Sequence, residues 1–264
     1  MAQIGIYTER ELEIFIHKNY GDEVSFSGKQ KSLIKFGQNP NVGSTLEDVW
    51  ATGGVEVLPT VAQGNVITHI ASSSGSDTQT IVIEGMVADS LGNMTFTEQT
   101  VTLAGQTKTA LTTPLYRCTR AYNSTADNLI GTVRIARDVT FSAGVPVSDI
   151  HATIQIGNEQ TQKCAVSVSQ YDYWAIEQIT ASVNRTQVRY VDFYFQLREF
   201  GGTFRTRIQP VSVSNASGTI VLALPQPFIV PPNSDVRVQA ISSGSTTSVG
   251  AGIFGTMLIK KSQL

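Results

Sequence analysis

The chain predicts an all-β protein: two antiparallel β-sandwich domains, the second jelly-roll-like, preceded by an extended N-terminal arm. Three observations carry this. First, roughly thirteen short runs alternate apolar and polar residues, the period of a strand with one buried face. Tyr190-Val191-Asp192-Phe193-Tyr194-Phe195-Gln196-Leu197-Arg198 is the clearest, with Val191, Phe193, Phe195 and Leu197 on one side. Second, Gly, Ser, Asn and Pro clusters separate the runs. Third, the gaps are shorter than the roughly dozen residues that a helical crossover between parallel strands needs.

In chain order, residues 1–44 read as the arm. Thr8-Glu9-Arg10-Glu11 matches a capping box, and Leu12, Ile14, Phe15 and Ile16 follow it. Their β-branched content leaves helix and strand both open. An arm with apolar residues and no partner of its own packs on another domain or subunit, which makes Leu12 and Phe15 candidate contacts. Ser44–Trp50 reads as one helical turn, opened by hydroxyls and acids and closed by Gly53-Gly54.

Residues 45–145 form the expected first sandwich. Its strands are Val66–Ile70, Thr80–Val87, Thr95–Leu103, Leu111–Tyr122 and Thr132–Phe141, joined by short polar loops. Ser142-Ala143-Gly144-Val145-Pro146 marks the boundary. Residues 146–264 form the second sandwich, with strands His151–Ile156, Lys163–Val168, Tyr173–Val183, Thr186–Arg198, Thr203–Val213, Thr219–Leu224, Asp235–Ile241 and Val249–Ile259. Eight strands at this spacing suit a jelly roll. Within Trp174–Val183 the apolar phase switches, from Trp174 and Ile176 to Ile179, Ala181 and Val183, which predicts a bulge.

Composition excludes several function classes. A net charge of −2, with 41% hydrophobic and 15% charged residues, carries no nucleic-acid signal. No run approaches the ~18 apolar residues of a membrane-spanning helix, and the N-terminus lacks a secretory pattern. The partners expected are therefore neither nucleic acid nor membrane. Cys118 and Cys164 stand far apart among apolar neighbours and read as buried free thiols. No Gly-x-Ser-x-Gly elbow is present, and His17, His69 and His151 have no nucleophile or ligand partner at working spacing. No cofactor, metal or catalytic residue is expected, so the chain reads as a non-enzyme.

The outward face of the second sandwich is the sharpest candidate site. Tyr190, Asp192, Tyr194, Gln196 and Arg198 share one side of their strand. If Phe204 and Ile208 face the core, Arg205 and Arg207 join the tyrosines outside. Tyr and Arg are enriched at interface hot spots, so Tyr190, Tyr194, Arg198, Arg205 and Arg207 are the expected protein-binding residues. The alternative is a solvated face with cross-strand ion pairs, each contributing a few tenths of a kcal/mol.

Several segments resemble virion structural proteins of tailed bacteriophages, of the marine and cyanobacterial type. They are Lys35-Phe36-Gly37-Gln38-Asn39-Pro40-Asn41-Val42, Leu46-Glu47-Asp48-Val49-Trp50-Ala51-Thr52-Gly53-Gly54, the loop Ser72–Ser76, Glu84-Gly85, Glu98–Leu103, Phe200–Arg205 and Ser234–Ala240. The resemblance implies a particle component located in the virion and made in the host cytoplasm. Its partners would be other virion proteins, major capsid or tail. It brings no catalytic residue. A capsid decoration or cement protein is the expectation; a tail, adaptor or vertex protein with a receptor- or glycan-binding role is the alternative. Self-association is expected to be symmetric, and β-rich phage proteins of this kind point to a homotrimer.

Overall fold

The computed structural model describes residues 26–184, 190–199, 202–208, 210–214, 217–244 and 247–260. Leu12 and Phe15, and most of the expected arm, lie outside the described residues. In the first part of the chain the strands are β1 (Phe26–Val42), β2 (Glu47–Asp48), β3 (Ile67–Ser72), β4 (Thr80–Ala88), β5 (Met94–Thr102), β6 (Thr109–Leu115), β7 (Arg117–Asn123), β8 (Val133–Arg137), β9 (Phe141–Ser142), β10 (Val145–Pro146) and β11 (Ile150–Ile154). In the second part they are β12 (Ala165–Ser167), β13 (Asp172–Asn184), β14 (Val191–Arg198), β15 (Arg205–Thr206), β16 (Val211–Val213), β17 (Ser217–Val230), β18 (Asp235–Ser242) and β19 (Thr247–Lys260). The protein is all-β, and the described strands pair antiparallel throughout.

Eight strands form one long hairpin folded over on itself. β1 pairs with β19, β12 with β18, β13 with β17 and β14 with β16. The additional pairs β13–β19 and β14–β18 join these into two sheets, β1-β19-β13-β17 and β12-β18-β14-β16. This is jelly-roll order. The two sheets close on one core that holds Leu33, Trp174, Phe193, Phe195, Val238 and Ile253. Phe195 meets Phe228 edge-on, with ring centroids 5.5 Å apart, an arrangement favoured by the ring quadrupoles. The expected bulge is present: the β13 register shifts between Ile176 and Gln178. The extra residue, Glu177, lets Trp174 and Ile176 share a core with Ile179, Ala181 and Val183.

The other sandwich is an insert, lying in sequence between β2 and β12. Its sheets are β11-β8-β3-β6 and β5-β4-β7. They close on Ile67, Ile81, Val101, Leu115, Ile135 and Ile154, among others.

These pairings divide the chain differently from the sequence boundaries. Residues 26–42, expected in the arm, are the first strand of the jelly roll. Their apolar partners come from β19, more than two hundred residues away, so no local signal reveals them. β11 lies past the expected boundary at 142–146 yet pairs with β8, because Ala152 and Ile154 belong to the insert's core. The expected strand Leu111–Tyr122 is two strands, β6 and β7, in opposite sheets. The Ser44–Trp50 helical turn is absent. Glu47 and Asp48 pair with Ala240 and Gln239 of β18, and the Glu47 carboxylate accepts the backbone N–H groups of Gly43 (3.2 Å) and Gly54 (2.9 Å).

The segment Phe36–Gly54 acquires a physical role. A Cβ at Gly37 would collide with the Val49 carbonyl and the Cys164 amide, so only glycine lets β1 pass there. Buried Asn39 donates to the Asp48 carbonyl at 3.0 Å and accepts the Asn41 N–H at 3.0 Å. Trp50 Nε1 donates to the Gly53 carbonyl at 2.9 Å, across a turn whose glycines have φ of 76° and 68°.

Candidate interaction surfaces

β14 alternates as expected. Val191, Phe193, Phe195 and Leu197 enter the core, and Asp192, Tyr194, Gln196 and Arg198 face the other way. That face is largely committed within the molecule. Arg198 donates through Nε and Nη2 to Asp235 Oδ2 at 3.0 and 2.5 Å. The guanidinium groups of Arg198 and Arg237 lie 4.8 and 3.8 Å from the Phe204 ring centroid. Phe204 therefore sits on the outward face, contrary to the expected phase. Leu197 pairs with Arg205 and Gln196 with Thr206, so Arg205 points to the side of Leu197 and is exposed beyond the core. The reason is that the expected strand 203–213 is broken: only β15 and β16 are regular, and Ile208 between them packs on the core by a separate path. Arg207 pairs with exposed Glu199 at 2.5 Å. Tyr194 is half-buried, and Tyr190 is 54% exposed at the strand end. The structure thus brings Tyr194 and Arg198 to one face and separates Arg205 and Arg207 from them.

Behind this face is a buried charge network joining the jelly roll to the insert. Asp235 accepts Arg117 Nε at 3.0 Å and Ser167 Oγ at 2.5 Å, besides Arg198. Burial opposes ionisation of Asp235, but the Arg117 and Arg198 guanidinium groups hold its carboxyl below the usual carboxylate range. Arg117, from β7, also donates to the Pro59 carbonyl at 2.8 Å. A second centre lies at Lys163. Its ammonium donates to Glu56 Oε1 at 2.8 Å and to the Cys118 and His151 carbonyls, each at 3.0 Å. Burial again opposes ionisation of Glu56, and Lys163 and His151 lower its pKa nonetheless. Asp48 differs: burial raises its pKa, only partly offset by Arg237 at 3.4 Å. Every charge here has a partner, so the network reads as a tie between domains. Sequence reasoning missed it, since Arg117 and Asp235 are 118 residues apart and Asp48 and Arg237 farther still.

The other jelly-roll sheet presents a different outer face. Cross-strand register aligns three rows: Gln38–Gly250–Ser182–Thr219, Phe36–Gly252–Thr180–Val221 and Ile34–Phe254–Gln178–Ala223. None of these twelve residues is charged. Ile34 and Val221 are each 59% exposed and Phe36 38%. A concavity of about 440 Å³ lies beside Gly250, lined by Phe36, Gln38, Gln162, Thr180, Ser182 and Thr219.

No protein-family model matches the chain, and no curated protein matches it. Among solved structures it is similar to infectious bursal disease virus VP2 in a subviral particle, at 11% identity and a TM-score of 0.24, covering 92% of this chain and 74% of that one. The structure of the Gx strain of that virus gives 9% identity and a TM-score of 0.23, covering 92% and 82%. Likeness at this level fixes neither topology nor function.

Proposed function

We propose that the chain is a non-enzymatic structural component of a virus particle, in its most specific form a decoration or cement protein of a tailed-phage capsid. The observation that carries this reading is the uncharged three-row face. Single exposed apolar residues are ordinary on a protein surface. A contiguous sheet face without charge, flanked by Ile34, Phe36 and Val221, has the composition of the centre of a protein interface, where charged residues are depleted. The resemblance of Lys35–Val42, Leu46–Gly54 and the later segments to phage virion proteins supports the same reading. Tyr190, exposed at the end of β14, is a second, smaller candidate contact.

Quantitative mass spectrometry of purified particles tests it. A copy number comparable with the major capsid subunit is expected for a decoration protein. A copy number matching the tail axis would replace that placement by a tail or adaptor role, and absence from particles would overturn the virion reading. Phe36→Glu together with Val221→Lys, in a protein that still folds, should abolish incorporation.

A further inference from the structure

We propose that the free edge of β1 receives an extended segment of a second copy of this chain, which adds to the sheet β1-β19-β13-β17 as a fifth strand. The inference rests on the assembly reading above.

A cavity of about 640 Å³ lies where β1 and β12, the edge strands of the two jelly-roll sheets, part beneath the insert. Six consecutive residues, Lys31–Phe36, line it. Successive residues of a strand point to opposite faces, so all six meet one cavity only where it runs along the strand's edge. β19 occupies the other edge of β1, and no described strand pairs with this one. Alternate backbone N–H and C=O groups along it are thus open to a further strand.

The side chains on either side of this edge define what fits. On the interior side Leu33, Trp174 and Met257 form the floor, with Met86 and Phe96 of the insert opposite. Trp174 is 4% exposed, and its Nε1 has no hydrogen-bond partner among the described residues. A buried donor left unpaired costs free energy that an incoming acceptor recovers. Lys35 donates to the Thr119 carbonyl at 2.6 Å, one bond for a group with three donors. Burial, set against the nearby Glu84, lowers its pKa to about 8. On the solvent side the same strand exposes Ile34 and Phe36. The occupant therefore has a strand backbone, carboxylates or carbonyls turned inward toward Lys35 and Trp174, and apolar side chains turned outward beside Ile34 and Phe36.

The chain's own sequence contains such a pattern in Glu11-Leu12-Glu13-Ile14-Phe15-Ile16. Glu11, Glu13 and Phe15 fall on one side of an extended segment, the ring suited to the apolar floor, and Leu12, Ile14 and Ile16 on the other. Residues 11–16 lie outside the described residues, and it is their sequence that matches.

Two populations of the full chain test this, one carrying Ile34→Cys and the other Ile14→Cys. Cys118 and Cys164 are buried and stay silent. Mild oxidation of the mixture should give a disulfide-linked dimer above the level of either population alone, and adding Leu12→Pro to the second population should remove it. Hydrogen exchange at alternate amides of residues 31–36 should slow as the protein associates. No mixed dimer, or a bond formed within single copies of a double-cysteine chain at high dilution, would overturn the proposal, as would exchange at residues 31–36 that ignores concentration. Because the assay uses purified protein, it can fail while particle incorporation stands.

Discussion

Replacing Lys163 with Met removes a charge and leaves three acceptors stranded. The Lys163 ammonium satisfies Glu56 Oε1 at 2.8 Å and the carbonyls of Cys118 and His151 at 3.0 Å. Lys163 and Glu56 are each 7% exposed. Breaking one partner of a buried pair typically costs about 3–5 kcal/mol, because the remaining charge stays buried and uncompensated. For a chain of this size each kcal/mol moves the thermal midpoint by about 2–4 °C, so a fall of roughly 6–20 °C is expected. The assay is urea unfolding followed by fluorescence of Trp50 and Trp174, repeated for Glu56→Gln and for the double variant. The double variant should lose less than the sum of the single losses, by about 1–3 kcal/mol, since the second change removes the group that the first left unpaired. A loss below about 1 kcal/mol for Lys163→Met, with strictly additive single variants, would refute the view that this network ties the insert to the jelly roll.

Three further outcomes are expected. Gly37→Ala forces a methyl group into the Val49 carbonyl and Cys164 amide, and should cost about 3 kcal/mol or more, read as a lowered unfolding midpoint or loss of soluble protein. Acid should destabilise the fold through Asp235 and Glu56, whose folded pKa values are depressed; their contribution is complete above the unfolded carboxylate pKa of about 4 and is lost as pH falls through the folded values, so unfolding free energy should drop on acidification and Asp235→Asn should flatten that drop. Cys118, its thiol pushed up to about 12 by burial, and the equally buried Cys164 should resist a thiol reagent in native protein and react fully in denaturant.

Much of the fold was legible because period two is a local property. The core side of β14, the bulge at Glu177 and the positions of most long strands follow from the order of apolar residues alone. The outward Tyr/Arg face was legible only in part. Its phase on β14 is correct, but Phe204 and Arg205 exchanged sides because β15 is two residues long and its register is set by pairing with β14. Alternation in the sequence cannot place a strand that ends before it repeats. The Ser44–Trp50 segment failed for a related reason: hydroxyls and acids serve a helix start and a clamped extended turn alike. What decided between them was β18, almost two hundred residues on.

The sequence by itself determined that this is an all-β chain with two buried thiols and a Phe36-Gly37-Gln38-Asn39-Pro40 segment. Only the tertiary structure decided that this segment is the jelly roll's first strand, that a second sandwich is inserted after it, and where the charges go. The physical reason is one of range. Side-chain alternation is set within a few residues, whereas β1 with β19, Arg117 with Asp235 and Glu56 with Lys163 are contacts that exist only once distant segments of the chain are packed together.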